Sequence, residues 1–423
     1  MLIPEIKRTF LILTCFLCCS YAKAAYVLIP MDDVQSNHLK AYGIAYWSLE
    51  KETEVDWLLN YRGGSFAIKA SPVIEKECLI RGVKYETISD ARMAAILDEI
   101  AQPEINMDAV RLEKAPKIAV YSPKGKLPWD DAVTLVLTYA EIPYTVIYDT
   151  EIMNGELALY DWLHLHHEDF TGQYGKFYAN YRNAEWYINQ QKEAEALARS
   201  LGFNKVSQSK LAVAKKIREY VAGGGFMFAM CSATDSYDIA LSADGVDICH
   251  QVFDGDPIDP AAQQKIDYSK TFAFEKFKLV LNPMEYEFSD IDVPPNRPVE
   301  EKLDYFSIFE FSAKWDQVPA MLTQNHSRII KGFMGQTTAF KKRVIKKDVL
   351  IMGENKSFDE ARYIHGSFGK GTWTFYGGHD PEDYRHLVGD APTDLNLHPN
   401  SPGYRLILNN ILFPAAKKKE RKT

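Results

Sequence analysis

The sequence predicts an α/β protein, with a parallel, doubly wound sheet preceded by a smaller α/β unit. Three observations predict it. From Lys117 onward, short apolar runs alternate with helical patterns on brief connections, the rhythm of parallel strands covered by helices. A glycine brake, Gly223-Gly224-Gly225, leads into the apolar run Phe226–Met230 and then into Cys231. Finally, His166-His167-Glu168-Asp169, Cys231 and His379 all fall at predicted carboxyl ends of strands, where open α/β sheets bind ligands.

The N-terminus stands apart. Lys7-Arg8 precede an apolar run from Thr9 to Cys19, and Ala22-Lys23-Ala24 follows as a small-x-small cleavage site. Residues 1–24 therefore read as a signal peptide cleaved after Ala24, and the mature chain as an exported protein, periplasmic or secreted. The apolar run is too short to span a bilayer, and no other stretch approaches that length, so no transmembrane segment is expected in the mature chain. Cleavage removes Lys7, Arg8 and Lys23 against Glu5 and takes the net charge from −8 to −10. Such an acidic exported chain excludes nucleic acid and anionic membrane as expected partners. Cys78, Cys231 and Cys249 survive cleavage; with an odd number, at least one thiol stays outside any intramolecular disulfide.

The mature chain divides at a Pro-containing linker. Residues 25–112 form the small α/β domain: strand-like Tyr26–Pro30, helical spacing from Asn37 to Glu50, and a strand over Val55–Tyr61. Helical patterns around Ile74–Arg81 and Ala91–Ile100 flank a further strand, Val83–Ile88. Residues 115–415 form the larger domain. Its strands are Ile118–Tyr121, Tyr144–Tyr148 and Trp162–His166, with a helix over Asp131–Ala140. Ser209 suits the N-cap of a helix carrying Leu211, Ala214, Ile217 and Val221 on one face and stopping at Gly223. Two insertions interrupt this domain, an aromatic one at 170–208 and a longer one at 245–345; residues 416–423 form a basic tail.

Cys231 has the surroundings of a nucleophile elbow. A nucleophile on a sharp strand-to-helix turn requires small residues two before and two after it, and here they are Ala229 and Ala233. A helix N-terminus would lower the thiol pKa, and the backbone N–H of Ser232 would supply half of an oxyanion hole. The second strand ending in chemistry is Thr372–Tyr376, followed by Gly377-Gly378-His379-Asp380-Pro381-Glu382. An imidazole there can take a thiol proton and later protonate a leaving group. The alternatives are a buried structural cysteine and a turn histidine. His167 and Glu168 are expected to line the same cleft.

Phe368-Gly369-Lys370-Gly371, the following apolar strand and Gly378-His379-Asp380 resemble the "GKG, apolar strand, GH-D" signature of the trehalose-utilisation (ThuA-like) branch of the class I glutamine amidotransferase-like superfamily. The resemblance covers roughly residues 115–245 and 345–415. It implies a flavodoxin-like sheet, Cys231 as nucleophile, His379 as base, and Glu382 or Asp380 as the orienting acid. In the amidotransferase pattern the acid stands two residues after the histidine, where this chain has Pro381. The implied activity is a Cys-His hydrolase or transferase acting on an amide or ester, on a small-molecule or carbohydrate-related substrate, without a cofactor. The alternative is a carbohydrate-binding protein that keeps the fold without catalysis.

Over its full length the chain is also similar to exported bacterial proteins named asparagine synthetase B. The chemistry that name requires is missing. Ser232-Ala233-Thr234-Asp235-Ser236 imitates the pyrophosphate loop of such enzymes but is one residue short and lacks its glycines.

His164 and His166 share a strand face, the geometry of two imidazole ligands, and a third could come from His167, Glu168, Asp169 or the distant His398. His164, His166 and Asp169 are the residues to watch for a metal, although the expectation is no metal. The aromatics of the first insertion either stack on sugar rings or pack a small core of their own.

Overall fold

Two sheets order the chain. The computed structural model describes residues 25–125, 128–293 and 299–417. The leader expected over 1–24, the Pro294-Pro295 pair and the basic tail beyond Lys417 lie outside the described residues.

The first sheet contains Tyr26–Ile29 (β1), Val55–Leu59 (β2), Ser65–Lys69 (β3), Glu86–Ile88 (β4) and Asp108–Leu112 (β5), in the order β4-β1-β3-β2-β5. Every pairing in it is antiparallel. The helix His38–Glu50 (α1) starts from Asn37, whose side chain accepts from the N–H of Lys40. Pro72–Ile80 (α2) and Asp90–Ala101 (α3) are capped in the same way by Ser71 and Ser89.

The second sheet has ten strands. Its parallel part is Ile118–Tyr121 (β6), Thr145–Ile147 (β7), Trp162–Leu165 (β8), Phe226–Met230 (β9) and Gly371–Tyr376 (β15), in the order β7-β6-β8-β9-β15. Alternation along these strands separates two cores. Val120, Trp162, Phe228 and Tyr376 face the helices Ala132–Tyr139 (α4) and Pro402–Leu412 (α8) as well as α1. Tyr121, Leu165, Ala229 and Phe375 face Val206–Gly223 (α6) and Ala233–Ser242 (α7). Both faces are thus covered, and the strands read as continuous apolar runs.

The expectation of a parallel sheet needs correction, because half of this sheet is not parallel. Tyr305–Ile308 (β10), Ile329–Lys331 (β11), Leu350–Asn355 (β13) and Glu360–Phe368 (β14) extend it antiparallel beyond β15, and Phe340–Lys341 (β12) pairs with β14. The reason is local. The turn Gly369-Lys370 reverses the chain between β14 and β15, and a hairpin can only produce antiparallel neighbours. At Gly371 a Cβ would lie 2.2 Å from both Gly225 O and Val221 O, so the glycine brake and the turn meet backbone to backbone.

One further detail differs from the sequence reading. α6 begins at Val206 rather than after Ser209. Ser209 is buried one turn inside, because the next residue, Lys210, points into the core to meet Asp149, Tyr121 and Tyr148. The first insertion carries a long helix, Glu185–Ser200 (α5), and its aromatics pack on one another: Tyr174 and Tyr187 are buried with Phe177, Tyr181 and Trp186 against them. The two sheets share a core through α8. All residues of that helix but the first are buried, and Asn409 accepts from Tyr42 of α1. Each fully buried Leu or Ile of α8 contributes about 1.5–3 kcal/mol, so this seam joins the two sheets firmly.

Candidate functional site

Three strands of the second sheet end together. Cys231 follows β9 with φ 49°, a left-handed torsion rare outside glycine, and α7 starts two residues later. Ala229 and Ala233, the neighbours that had to be small, are completely buried. The Cys231 N–H donates to Gly378 O at 3.1 Å, and the Ala233 N–H donates to His166 O at 2.9 Å. The elbow is therefore bonded on one side to the segment carrying His379 and on the other to the segment carrying His166.

The thiol itself is buried. Its Sγ accepts from the N–H of Gln336 at 3.3 Å, and the amides of Gln336, Thr337 and Ser232 all favour the thiolate. Burial outweighs them and pushes the Cys231 thiol up to about 11. The Ser232 amide thus faces the sulfur, and the Ser232 side chain is fully buried.

His379 lies in a cluster of rings. Its Nδ1 is 3.2 Å from His166 Nε2, and its ring stacks on His386 with centroids 4.4 Å apart. His379 Nε2 has no hydrogen-bond partner among the described residues. Burial, followed by the neighbouring His166 and His167 rings, holds His379 well below the usual imidazole range. His167, also held low chiefly by burial, makes no hydrogen bond at either ring nitrogen among the described residues; its Nε2 lies 3.9 Å from Glu168 Oε1, and its ring meets Trp129 edge-on. For His386 burial works downward, but hydrogen bonds to Asp130 and Asp383 raise it to about 9.

The two acids expected to orient His379 have other partners. Glu382 Oε2 lies 3.1 Å from His398 Nδ1. Asp380 is fully buried and accepts the N–H of Glu382 at 2.8 Å, away from the His379 ring nitrogens. Instead, the carboxylate associated with the histidines is Asp131, at the N-cap of α4. Its Oδ1 accepts from the N–H groups of Val133 and Thr134 and lies 3.5 Å from His166 Nδ1; its Oδ2 is 3.1 Å from His164 Nε2. Burial opposes ionisation of Asp131, but the His164 and His166 rings outweigh it and hold the carboxyl well below its usual range. Asp131 thus stands behind His166 without a hydrogen bond to its Nδ1, and His166 in turn meets His379.

Of the residues watched for metal, His166 belongs to this cluster and the other two are engaged elsewhere. His164 is fully buried, with Nδ1 at Phe228 O and Nε2 at Asp131. Asp169 accepts from the N–H and hydroxyl of Thr171 and from the N–H of Gly175, organising the turn into the insertion.

A cavity of about 760 Å³ opens between the ends of β6 and β8 and the helix α5; neither Cys231 nor any histidine of the cluster lines it. Glu168, Lys210, Tyr148, Tyr174 and Trp186 line it. Burial, eased by Lys210, raises Glu168 to about 8, so its carboxyl carries a proton at neutral pH.

Sequence reasoning missed Asp130, Asp131, His386 and the Gln336-Thr337 amides. The signal for the first two was present in Trp129-Asp130-Asp131, two carboxylates just past a strand end, but an acid at a helix start is equally the mark of an ordinary cap.

No family model matches the chain, and no curated protein matches it. Among solved structures, a cytoplasmic protein from Salmonella typhimurium aligns at 10% identity over 71% of this chain and all of its own length, with a TM-score of 0.34. A second, from Salmonella typhimurium LT2, aligns at 11% identity over 71% of this chain and all of its own, with a TM-score of 0.35. A GH42 β-galactosidase aligns at 11% identity over 63% of this chain and 28% of its own, with a TM-score of 0.28. Scores this low fix neither fold nor function.

Proposed function

We propose that this chain is an exported hydrolase or acyl transferase on a class I glutamine amidotransferase-like, ThuA-like scaffold, with Cys231 as its nucleophile and an amide or ester as its target. The observation that carries the reading is the φ of 49° at Cys231, a strained torsion held at the junction of a central strand and a buried helix. The strand order β7-β6-β8-β9-β15 supports it, since in chain order this is the 2-1-3-4-5 arrangement of flavodoxin-like sheets.

The orienting acid in this reading is Asp131 acting through His166, rather than Glu382 or Asp380. His166 holds Nδ1 of His379 and leaves Nε2 as the proton acceptor. With the thiol at about 11 and the imidazole neutral, both groups rest uncharged, and this reading requires His379 Nε2 to reach the sulfur, whose resting hydrogen bond is to the Gln336 amide. The proton therefore leaves Cys231 as sulfur bonds to the carbonyl carbon, and the imidazolium returns it to the departing amine or alcohol. Water then releases the acyl group from the thioester. The cavity beside Glu168, with Trp186 and Tyr174 on its wall, offers stacking faces for a carbohydrate-related part of the substrate, while the bond attacked must reach Cys231 outside that lining.

The test is intact-mass detection of acyl-Cys231 after exposure to a panel of activated esters and amides. Acylation that disappears in Cys231→Ser and slows in His379→Gln supports the reading. Turnover undiminished in Cys231→Ala ends it.

A further inference from the structure

We propose that His166, His167 and His379 form a binding site for one divalent transition-metal ion, with zinc as the ion their chemistry fits. One ligand atom from each of the three rings falls within a common span of 4.8 Å. His166 Nε2 and His379 Nδ1 are already 3.2 Å apart. Two nitrogens on one tetrahedral zinc, at bonds of about 2.0–2.1 Å, stand about 3.3 Å apart, so this pair forms a ready edge of the coordination polyhedron. Small ring rotations bring His167 in as the third donor.

Two independent features point to an ion. The first is orphaned polarity. Among the described residues, both nitrogens of His167 are buried without a hydrogen bond, a cost a protein rarely leaves standing, and an ion would take one of them. The second is the support behind His166. Asp131 faces its Nδ1 at 3.5 Å, which aims Nε2 at the other two rings, and Asp131 is itself held by two backbone amides of α4. A carboxylate behind a ligating imidazole is the usual outer shell of a zinc histidine. Three imidazoles leave the fourth position for water or a substrate atom, the pattern of catalytic rather than structural sites. Access runs past His167, whose side chain keeps 12% exposure while that of His166 keeps 1%.

The ion site stands on its own residues. It touches the hydrolase reading at one point only: the nitrogens that bind the ion are those that would hold His379 as proton acceptor, so the two uses exclude each other in one molecule.

The experiment is titration of the metal-stripped full chain with Zn²⁺ and Co²⁺. One equivalent is expected to bind, with the visible absorption of tetrahedral Co²⁺. His167→Gln is expected to weaken binding at least tenfold, Asp131→Asn tenfold to a hundredfold, and Cys231→Ala not at all. X-ray absorption of the zinc-loaded wild type needs no variant to fold and should show three imidazoles. No stoichiometric binding, or an ion without imidazole ligands, overturns the proposal. Acylation of Cys231 in metal-free protein is read separately, so either idea can fail while the other stands.

Discussion

Cys231 and Gly378 are joined main chain to main chain, the amide of the first donating to the carbonyl of the second at 3.1 Å. The bond crosses between the ends of two parallel strands, and it fixes the elbow against the residue just before His379. Gly378 is suited to this place. Its φ is +98°, and a Cβ there would fall 2.4 Å from the Phe333 ring.

The strain at Cys231 has a measurable sign. Alanine at φ 49° keeps the left-handed cost, whereas glycine removes roughly 1 kcal/mol of it. Cys231→Gly should therefore be more stable to urea than Cys231→Ala, by about 1 kcal/mol, reversing the usual order for a buried position. Cys231→Val should be the least stable of the three.

The thiols should titrate in order. Burial pushes Cys231 to about 11, Cys78 to about 12 and Cys249 well above its usual range. Iodoacetamide labelling of the folded chain, followed by peptide mass spectrometry across pH, should modify Cys231 first. Its reactivity should still be climbing at pH 10. A plateau near pH 7 would show a thiolate that the apo site does not hold.

Glu168 makes stability depend on pH. Its folded-state pKa of about 8 lies above the usual value of 4.5 because burial disfavours the charge. A carboxyl raised on folding takes up a proton, so its stabilising contribution is full below about pH 4.5 and is lost as pH rises through 8. Glu168→Gln should flatten that limb and exceed the parent at pH 9, on the order of 3 kcal/mol by chemical denaturation.

Arg362 and Asp304, both with fully buried side chains, form a two-bond pair at 3.0 and 3.1 Å that ties β14 to the start of β10. Arg362→Ala should cost about 3–5 kcal/mol, because it removes the cation that faces the buried Asp304 carboxylate. Arg362→Leu with Asp304→Leu should recover much of the loss in thermal unfolding.

The sequence carried the parallel half of the large sheet because its strands are unbroken apolar runs punctuated by glycine, as in Phe226–Met230. β5 was not legible, since Asp108 and Arg111 break its apolar pattern and its partner β2 lies some fifty residues away. The antiparallel extension was hidden for the same reason: β10 is four residues long and pairs only with distant strands. At the site, Cys231 and His379 announced themselves through their small and glycine neighbours. The link from Asp131 to His166 did not, because it depends on β6 and β8 being adjacent, which no local pattern encodes.

β15 lies between β14 and β9, yet β9 is made about 140 residues earlier. A ribosome therefore releases β9 with one flank open, and that flank stays open until residue 376 has emerged. Chains cut short anywhere in this interval present an apolar strand edge in place of His379 and cannot assemble the centre at all. Assembly of the Cys231 and His379 segments thus waits on β15, the strand that fills the gap between β9 and β14.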